Sequence, residues 1–389
     1  MIRSFDLILV FASFRRSTIF LPIVKMLSAQ FKIGILPLQL PLKEKRKTRE
    51  TDSLFLGLCV ELGAEILKGA RYHAKISIIP QWPYSEEQLI FLETRLQSDR
   101  VFWMVGLTMG NFHFDRLGKI KVDKLLVPDL DLYHYRLKVR EEEQTAEITP
   151  SMLVEIGVPF KKYPVLPDMG IDYLWANPTP LSLPDVINRL EYLECVKRLI
   201  DNIPEKDVIA LKPHNAIESH DYIVSLLALY LLKFPLIKPF SSAISRFSKK
   251  IARKLSNGPL KNAFLNLVIA HTYMEILRRV TPLKALTSYH NFSLELILPQ
   301  VKKGLITGRS NSIWHGLYTK LPVYNCVDKN QIIENKTKMN YESMKYFEVP
   351  YCNGRLEFEA KHFDVIREET RKRDLIKWLS NELTICSSE

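Results

Sequence analysis

The chain lacks most of the short motifs that announce a chemistry. Its 389 residues include five cysteines, Cys59, Cys195, Cys326, Cys352 and Cys386, an odd number with no CxxC pair and no short metal-ligand spacing. A disulfide framework and a zinc ribbon are therefore not expected, and reduced cytosolic thiols are the simplest reading. There is no GxxxxGK[ST], no GxGxxG after the first apolar run and no HExxH. These absences remove the P-loop, the dinucleotide fingerprint and the zincin site, so no metal and no bound cofactor are expected. Long apolar runs are also missing. Ile8 to Phe11 is too short for a signal peptide core and Arg15-Arg16 follow at once, while Tyr222 to Ile237 carries Lys233 and Pro235. Neither reaches the about 20 apolar residues that a membrane span needs, so a cytoplasmic protein is expected.

Acidic residues disappear altogether between Asp221 and Glu275, where Lys233, Lys238, Arg246, Lys249, Lys250, Arg253, Lys254 and Lys261 stand. Most of the net charge of +12, from 55 Lys and Arg against 43 Asp and Glu, lies in that stretch. Such a balance favours an anionic partner. Ile244, Phe247, Ile251 and Leu255 recur three or four apart among these cations, the composition of a helix lying in a membrane interface or of a solvated basic face. The segment Lys233 to Lys261 is thus a candidate for an anionic membrane surface. It is mainly aliphatic, with Phe234, Phe240 and Phe247 as its aromatics and no Tyr or Trp, which places nucleic acid well behind as a partner.

What is present is a repeated rhythm of buried strand, polar turn and helix. Phe5 to Val10 is apolar throughout and runs into Ser13-Phe14-Arg15-Arg16-Ser17-Thr18, after which Ile19, Ile23 and Leu27 keep helical spacing, with Ser17 as the expected cap. Strands are predicted at Lys32 to Leu36, Lys75 to Ile79, Val101 to Leu107 and Lys124 to Val127. The prolines 159, 164, 167, 178, 180 and 184 then interrupt. Beyond them the alternation resumes, with strands at Tyr173 to Ala176, Val208 to Leu211, Ala285 to Ser288, Gly304 to Thr307 and Val323 to Val327. Helices are expected at Val186 to Ile203 and from Ser293 and Asn311. Two α/β halves with parallel sheets follow. We expect an N-terminal Rossmann-like domain over residues 1–168, a C-terminal one over 169–345 with a basic insertion at about 228–262, and a helical segment over 346–389 packing back on the first.

Three polar turns of the second half should collect at one sheet edge, where open parallel sheets bind ligands. Thr307-Gly308-Arg309-Ser310-Asn311-Ser312 leads from a strand into a helix, a geometry whose free amides suit a phosphate, with Arg309 to neutralise charge. Lys212-Pro213-His214 ends another strand, and His214 has the ordinary pKa of a group able to protonate a leaving phosphate oxygen. Asn177-Pro178-Thr179-Pro180-Leu181-Ser182 ends a third, rigid and carrying the hydroxyls of Thr179 and Ser182.

The pairing of Lys212-Pro213-His214 with Ile306 to Ser312 and Leu321-Pro322-Val323-Tyr324 resembles the C-terminal half of GT-B glycosyltransferases, in which two Rossmann-like domains face each other across a cleft. It is most similar to bacterial enzymes that use CMP-activated acidic sugars: the sialyltransferases, polysialyltransferases and Kdo transferases of surface polysaccharide synthesis. The resemblance, over about residues 170 to 330, implies that His214, Ser310 and Ser312 bind the CMP phosphate and that Thr179 to Ser182 occupies the place of a short Pro-Leu loop. It implies a nucleotide-sugar donor as substrate and an oligosaccharide or lipid-linked glycan as acceptor. Glycosyl transfer by inversion needs a base for the acceptor hydroxyl. Asp115, beside His113, ranks first, Asp168 second and Glu155 third. A CDP-polyol phosphotransferase of teichoic-acid type is the alternative within enzymes, and a basic nucleic-acid-binding protein the alternative outside them.

Overall fold

A computed structural model of the chain describes residues 2–38, 45–69, 71–80, 84–105, 120–128, 150–157, 160–177, 186–213, 238–256, 258–308, 312–327, 351–357 and 373–388. The chain divides into two compact units: unit 1 is residues 1–167, 291–299 and 367–389, and unit 2 is 168–290 and 300–366.

Unit 1 is built on β1 (Arg3–Phe11), β2 (Ile33–Pro37), β3 (Glu65–Ile66), β4 (Tyr72–Pro80), β5 (Leu96–Met104), β6 (Lys124–Val127) and β7 (Leu153–Gly157). They lie in the order β3-β2-β1-β4-β5-β6-β7, every pair parallel. Unit 2 is built on β8 (Ile171–Asn177), β9 (Ile209–Pro213), β10 (Thr281–Pro282), β11 (Val301–Thr307) and β12 (Val323–Asn325), in the order β10-β9-β8-β11-β12 and again all parallel. The fold class is α/β, with two Rossmann-like units.

The sequence dictates this architecture through its apolar runs. Parallel strands are covered on both faces and so read as continuous hydrophobic stretches. Leu7, Ile8, Leu9 and Val10 of β1 are fully buried, as are Leu174 and Trp175 of β8. Because each parallel connection crosses over right-handedly, a sheet that grows in one direction and then restarts on the other side of its first strand receives helices on both faces. That reversal falls between β1 and β4 in unit 1 and between β8 and β11 in unit 2.

The chain returns to unit 1 at its end. Arg373–Asp374 forms β13 beside β7, and the helix Leu375–Ser388 buries Leu375, Ile376, Leu379 and Leu383. Trp378 packs on Phe102 at 5.3 Å between ring centroids, and Glu382 bonds Arg100 at 3.0 Å. The short stretch 291–299 also belongs to unit 1, where the fully buried Phe292 stacks on Phe14.

Three local expectations change. Ser17 is not a helix cap: helices run over Phe14–Ser17 and Phe20–Leu27, and the Ser17 hydroxyl is buried. Pro22 still sits in the first turn, where its missing amide costs least. The strand expected at Ala285 to Ser288 is replaced by β10 and two 3-10 turns, Leu283–Ala285 and Ser288–Asn291. Pro282, with no amide to donate, stops the ladder there. The third change concerns the basic helix, Lys238–Ala252. Its buried face carries Ser245, Ser248 and Ala252, while Ile244 and Phe247 are 45% and 63% exposed. It packs beside the helix Pro259–Leu277, which leaves Ile244 and Phe247 outward and Ile251 and Leu255 half-buried. Among the described residues no helix is long and apolar enough to cross a membrane.

Helix-to-strand approach in unit 2 rests on Gly316, where a Cβ would stand 2.6 Å from Val323 Cγ2 and 2.8 Å from Leu305 Cδ2. Gly316→Ala is expected to destabilise unit 2 by about 1–3 kcal/mol, the usual cost of overpacking. Gly57→Ala, in a helix with nothing near its added methyl, should be stabilising by up to about 1 kcal/mol. Urea denaturation of both variants checks the contrast. A neutral Gly316→Ala would contradict the packing described.

Candidate functional site at the carboxyl edge of unit 2

The strand register brings the ends of four strands of unit 2 into one row. Lys212 of β9 pairs with Ala176 of β8, Ile306 of β11 with Trp175, and Thr307 with Asn325 of β12. One step beyond Ile306 and Trp175, Thr307 therefore lies level with Ala176. Lys212, Ala176, Thr307 and Asn325 form a single line across the carboxyl edge, and Lys212 and Thr307 are two strand spacings apart, roughly 10 Å. The reversal of strand order falls inside this line, between β8 and β11. The crevice outside the carboxyl ends of the strands at such a point is where doubly wound sheets take their ligands.

Each side chain in the row has a definite anchor. Lys212 is buried to 9% exposure, and its Nζ donates to the His290 carbonyl at 2.7 Å, so its cation is held at the strand end. Thr307 and Ser312 share a hydrogen bond of 2.5 Å and are both buried. That pair ties the last residue of β11 to the first residue of the helix Ser312–Tyr318. The hydroxyl expected to meet a phosphate, that of Ser312, is thus engaged with Thr307 in this structure. Gly308 begins the turn, and a Cβ there would stand 2.8 Å from the Tyr192 ring and 2.9 Å from Val327. Below it, Trp175 Nε1 donates to Tyr192 Oη at 2.9 Å, and burial pushes the Tyr192 phenol well above its usual pKa. Asn325 is buried, and its Oδ1 accepts from the Val327 amide at 3.1 Å, which shapes the exit of β12.

The remaining expected residues divide in two. Thr179, Ser182, His214, Arg309, Ser310 and Asp115 lie outside the described residues. The strands leading to the first five, β8, β9 and β11, all end along the row. Asp168 stands elsewhere: it precedes β8, bonds the Gly170 amide at 2.8 Å and pairs with Lys302, at the start of β11, at 3.2 Å. The Gly170 amide and then Lys302 hold its carboxyl below the usual range. Together with Lys303, which bridges Asp172 at 3.6 Å and Asp207 at 2.7 Å, it forms an ionic cluster at the amino edge of the same sheet. Asp168 is therefore not brought together with Lys212 and Thr307. Glu155 lies in β7 of unit 1, paired in register with Val127.

Two groups at strand ends were not singled out from sequence. His290, in the 3-10 turn after β10, lies against Lys212 through its carbonyl, and its ring Nδ1 is 3.3 Å from the Thr287 carbonyl. Pro282 was the available signal, since a proline that ends a strand moves the next residues into a turn at the ligand edge. In unit 1, Asp52 is buried on the helix Lys45–Glu61, and its Oδ1 accepts the Phe14 amide at 3.0 Å, just beyond the carboxyl end of β1. Nothing short in the sequence marks Asp52, because the contact spans 38 positions. A hollow of about 290 Å³ in unit 1, lined by Ser77, Glu93, Asp99, Lys121 and Asp123 among others, opens along β5 and before β6. It lies away from the carboxyl ends of those strands.

The class of protein defined so far is an α/β protein of two Rossmann-like units with a polar, cation-bearing strand edge in the second. No protein-family model and no curated protein sequence matches the chain. Among solved structures it is similar to a UDP-GlcNAc 2-epimerase from Methanocaldococcus jannaschii, at TM-score 0.37 and 9% identity over 95% of this chain and 100% of that one. A glycosyltransferase from Rickettsia africae ESF-5 gives TM-score 0.37 and 10% identity over 100% and 98%. S. aureus MnaA, solved with UDP, gives 0.35 and 10% over 83% and 79%. The fold assignment rests on the strand order and register, not on these distant likenesses.

The position of Asp168 has a direct consequence. Asp168→Asn should leave the urea unfolding midpoint of the chain essentially unchanged, as expected for an exposed pair with Lys302. A marked fall in the midpoint would contradict the exposed pairing.

Proposed function

We propose that the chain is a nucleotide-sugar glycosyltransferase of the GT-B type in which unit 2 holds the donor nucleotide at the switch point between β8 and β11. The single observation that carries this reading is the register line Lys212–Ala176–Thr307–Asn325, which sets a buried cation and the paired hydroxyls of Thr307 and Ser312 at the edge where such sheets bind phosphates. Lys212 supplies positive charge to a leaving nucleotide phosphate, and charge placed in advance where negative charge develops is the largest common contribution to such a transfer. Thr307 and Ser312 keep the turn in shape, Arg309 and Ser310 contact the phosphate, and His214 protonates the departing oxygen. Thr179 and Ser182 line the sugar side. Asp115 takes the acceptor proton. The donor in this reading is a CMP-linked acidic sugar of the sialic acid or Kdo type, and the acceptor is a surface glycan or glycolipid. A CDP-polyol phosphotransferase would use the same edge for a diphosphate.

The basic helix supports attachment to a membrane face. Ile244 and Phe247 are exposed on it, with Arg246, Lys250, Arg253 and Lys254 beside them. Exposed apolar residues flanked by cations match an anionic lipid surface, where each Lys or Arg contributes about 1 kcal/mol at most. Lys249 also pairs with Glu194 at 2.5 Å, which holds the helix on unit 2.

Thermal-shift measurements with CMP, CDP, UDP and GDP test the donor site, because a ligand bound only by the folded chain raises its melting temperature. CMP is expected to give the largest shift, CDP the largest if the polyol reading holds, and Lys212→Met, His214→Ala or Ser310→Ala should weaken it. No shift with any of the four, or shifts untouched by all three variants, would refute the site. For the helix, replacing Arg246, Lys249, Lys250, Arg253 and Lys254 by Gln should abolish sedimentation with phosphatidylserine vesicles, and Phe247→Ser should weaken it. Binding unchanged in both would remove the membrane assignment.

A further inference from the structure

Three of the five cysteines meet in unit 2. Cys195 lies on the helix Val186–Asp201, Cys326 directly follows β12, and Cys352 follows Tyr351, which bridges Asn325 in parallel while the Cys352 amide donates to the Asn325 carbonyl at 2.9 Å. The sulphurs of Cys195 and Cys352 are 3.8 Å apart, those of Cys326 and Cys352 3.7 Å, and all three lie within 4.8 Å of one another. Cys195 and Cys326 are buried, and Cys352 is half-buried. Three chain segments, separated by as many as 157 positions, thus turn their thiols to one point.

We propose that Cys195, Cys326 and Cys352 form a binding site for a soft metal ion, Zn²⁺ or Cu⁺, that clips the Tyr351–Glu357 segment to the helix and to the edge strand of unit 2. A tetrahedral ion with sulphur at about 2.3 Å requires sulphurs about 3.8 Å from one another, the spacing found for two of the three pairs. Thiolates select these ions over hard cations. A disulfide could use only two of the three sulphurs, and it requires them at about 2.05 Å. The surroundings suit an anionic thiolate set. Arg198 sits beside the cluster, its guanidinium reaching Asn353 Oδ1 at 3.4 Å and its side chain packing on Gly354. Binding releases the thiol protons to solvent, and no oxidant is involved. A fourth position is filled by a water or the Tyr351 oxygen for Zn²⁺, and three sulphurs suffice for Cu⁺. This site is separate from the proposed donor edge, so its fate does not depend on that assignment.

The test uses the full chain, purified under reducing conditions without chelator. Elemental analysis should find one zinc or copper per chain, and replacement by Co²⁺ should give a thiolate-to-cobalt charge-transfer absorption. Cys352→Ser and Cys195→Ser should weaken metal binding at least tenfold, and Cys386→Ser should leave it unchanged. In the parent chain, bound metal should slow alkylation of these three cysteines, read by peptide mass spectrometry, which keeps the test decisive if a variant fails to fold. Absence of the cobalt absorption in folded protein, equal alkylation with and without metal, or an intact mass lower by two hydrogens with a Cys195–Cys352 or Cys326–Cys352 linked peptide would each overturn the proposal.

Discussion

The constraint on which the rest of the structure depends is the register of the parallel ladders in unit 2. A parallel strand pair fixes which residues stand level, and a slip by one residue would turn every side chain to the other face. Here the ladder aligns Lys212, Ala176, Thr307 and Asn325 at the carboxyl edge. The apolar runs of β8, β9 and β11 hold that register because both faces of the sheet are covered. With the register set, the last residues of β8, β9 and β11 end side by side around the reversal of strand order.

Buried polar contacts hold the described residues of the edge in place. Thr307 and Ser312 join strand to helix, Lys212 is fixed on the His290 carbonyl, and Tyr192 carries the Trp175 indole beneath the turn at Gly308. Buried hydrogen bonds of this kind contribute modestly to net stability but are costly to leave half made, so they specify one geometry. The amino edge of the same sheet is different in kind. Asp168, Asp172 and Asp207 are matched there by Lys302 and Lys303. Its charges are matched by one another.

Much of this was legible in sequence, for physical reasons that vary by element. β1, β6, β8 and β11 could be read because fully buried strands are unbroken apolar runs. β7 and β13 escaped, since Leu153–Gly157 is short and broken by Glu155 and Arg373–Asp374 contributes two residues only. The polar turns could be placed at strand ends, but the burial of Ser312 could not, because a hydroxyl that caps a turn and one that meets a ligand have the same sequence signature. The basic helix was legible in its charge and not in its orientation. Its small residues Ser245, Ser248 and Ala252 pack inward, and Ile244 and Phe247 stay out. The thiol cluster left no local trace at all, since its members are brought together only by the fold.

The central claim is that a nucleotide occupies the carboxyl edge of unit 2. Hydrogen–deuterium exchange of the full chain, with and without saturating CMP, tests it most directly, because bound ligand slows the opening of the backbone it contacts. The account predicts protection in peptides spanning the ends of β8, β9 and β11, from Ala176, Lys212 and Thr307 onward. Protection confined to unit 1, or to the amino edge around Asp168 and Lys302, would contradict it.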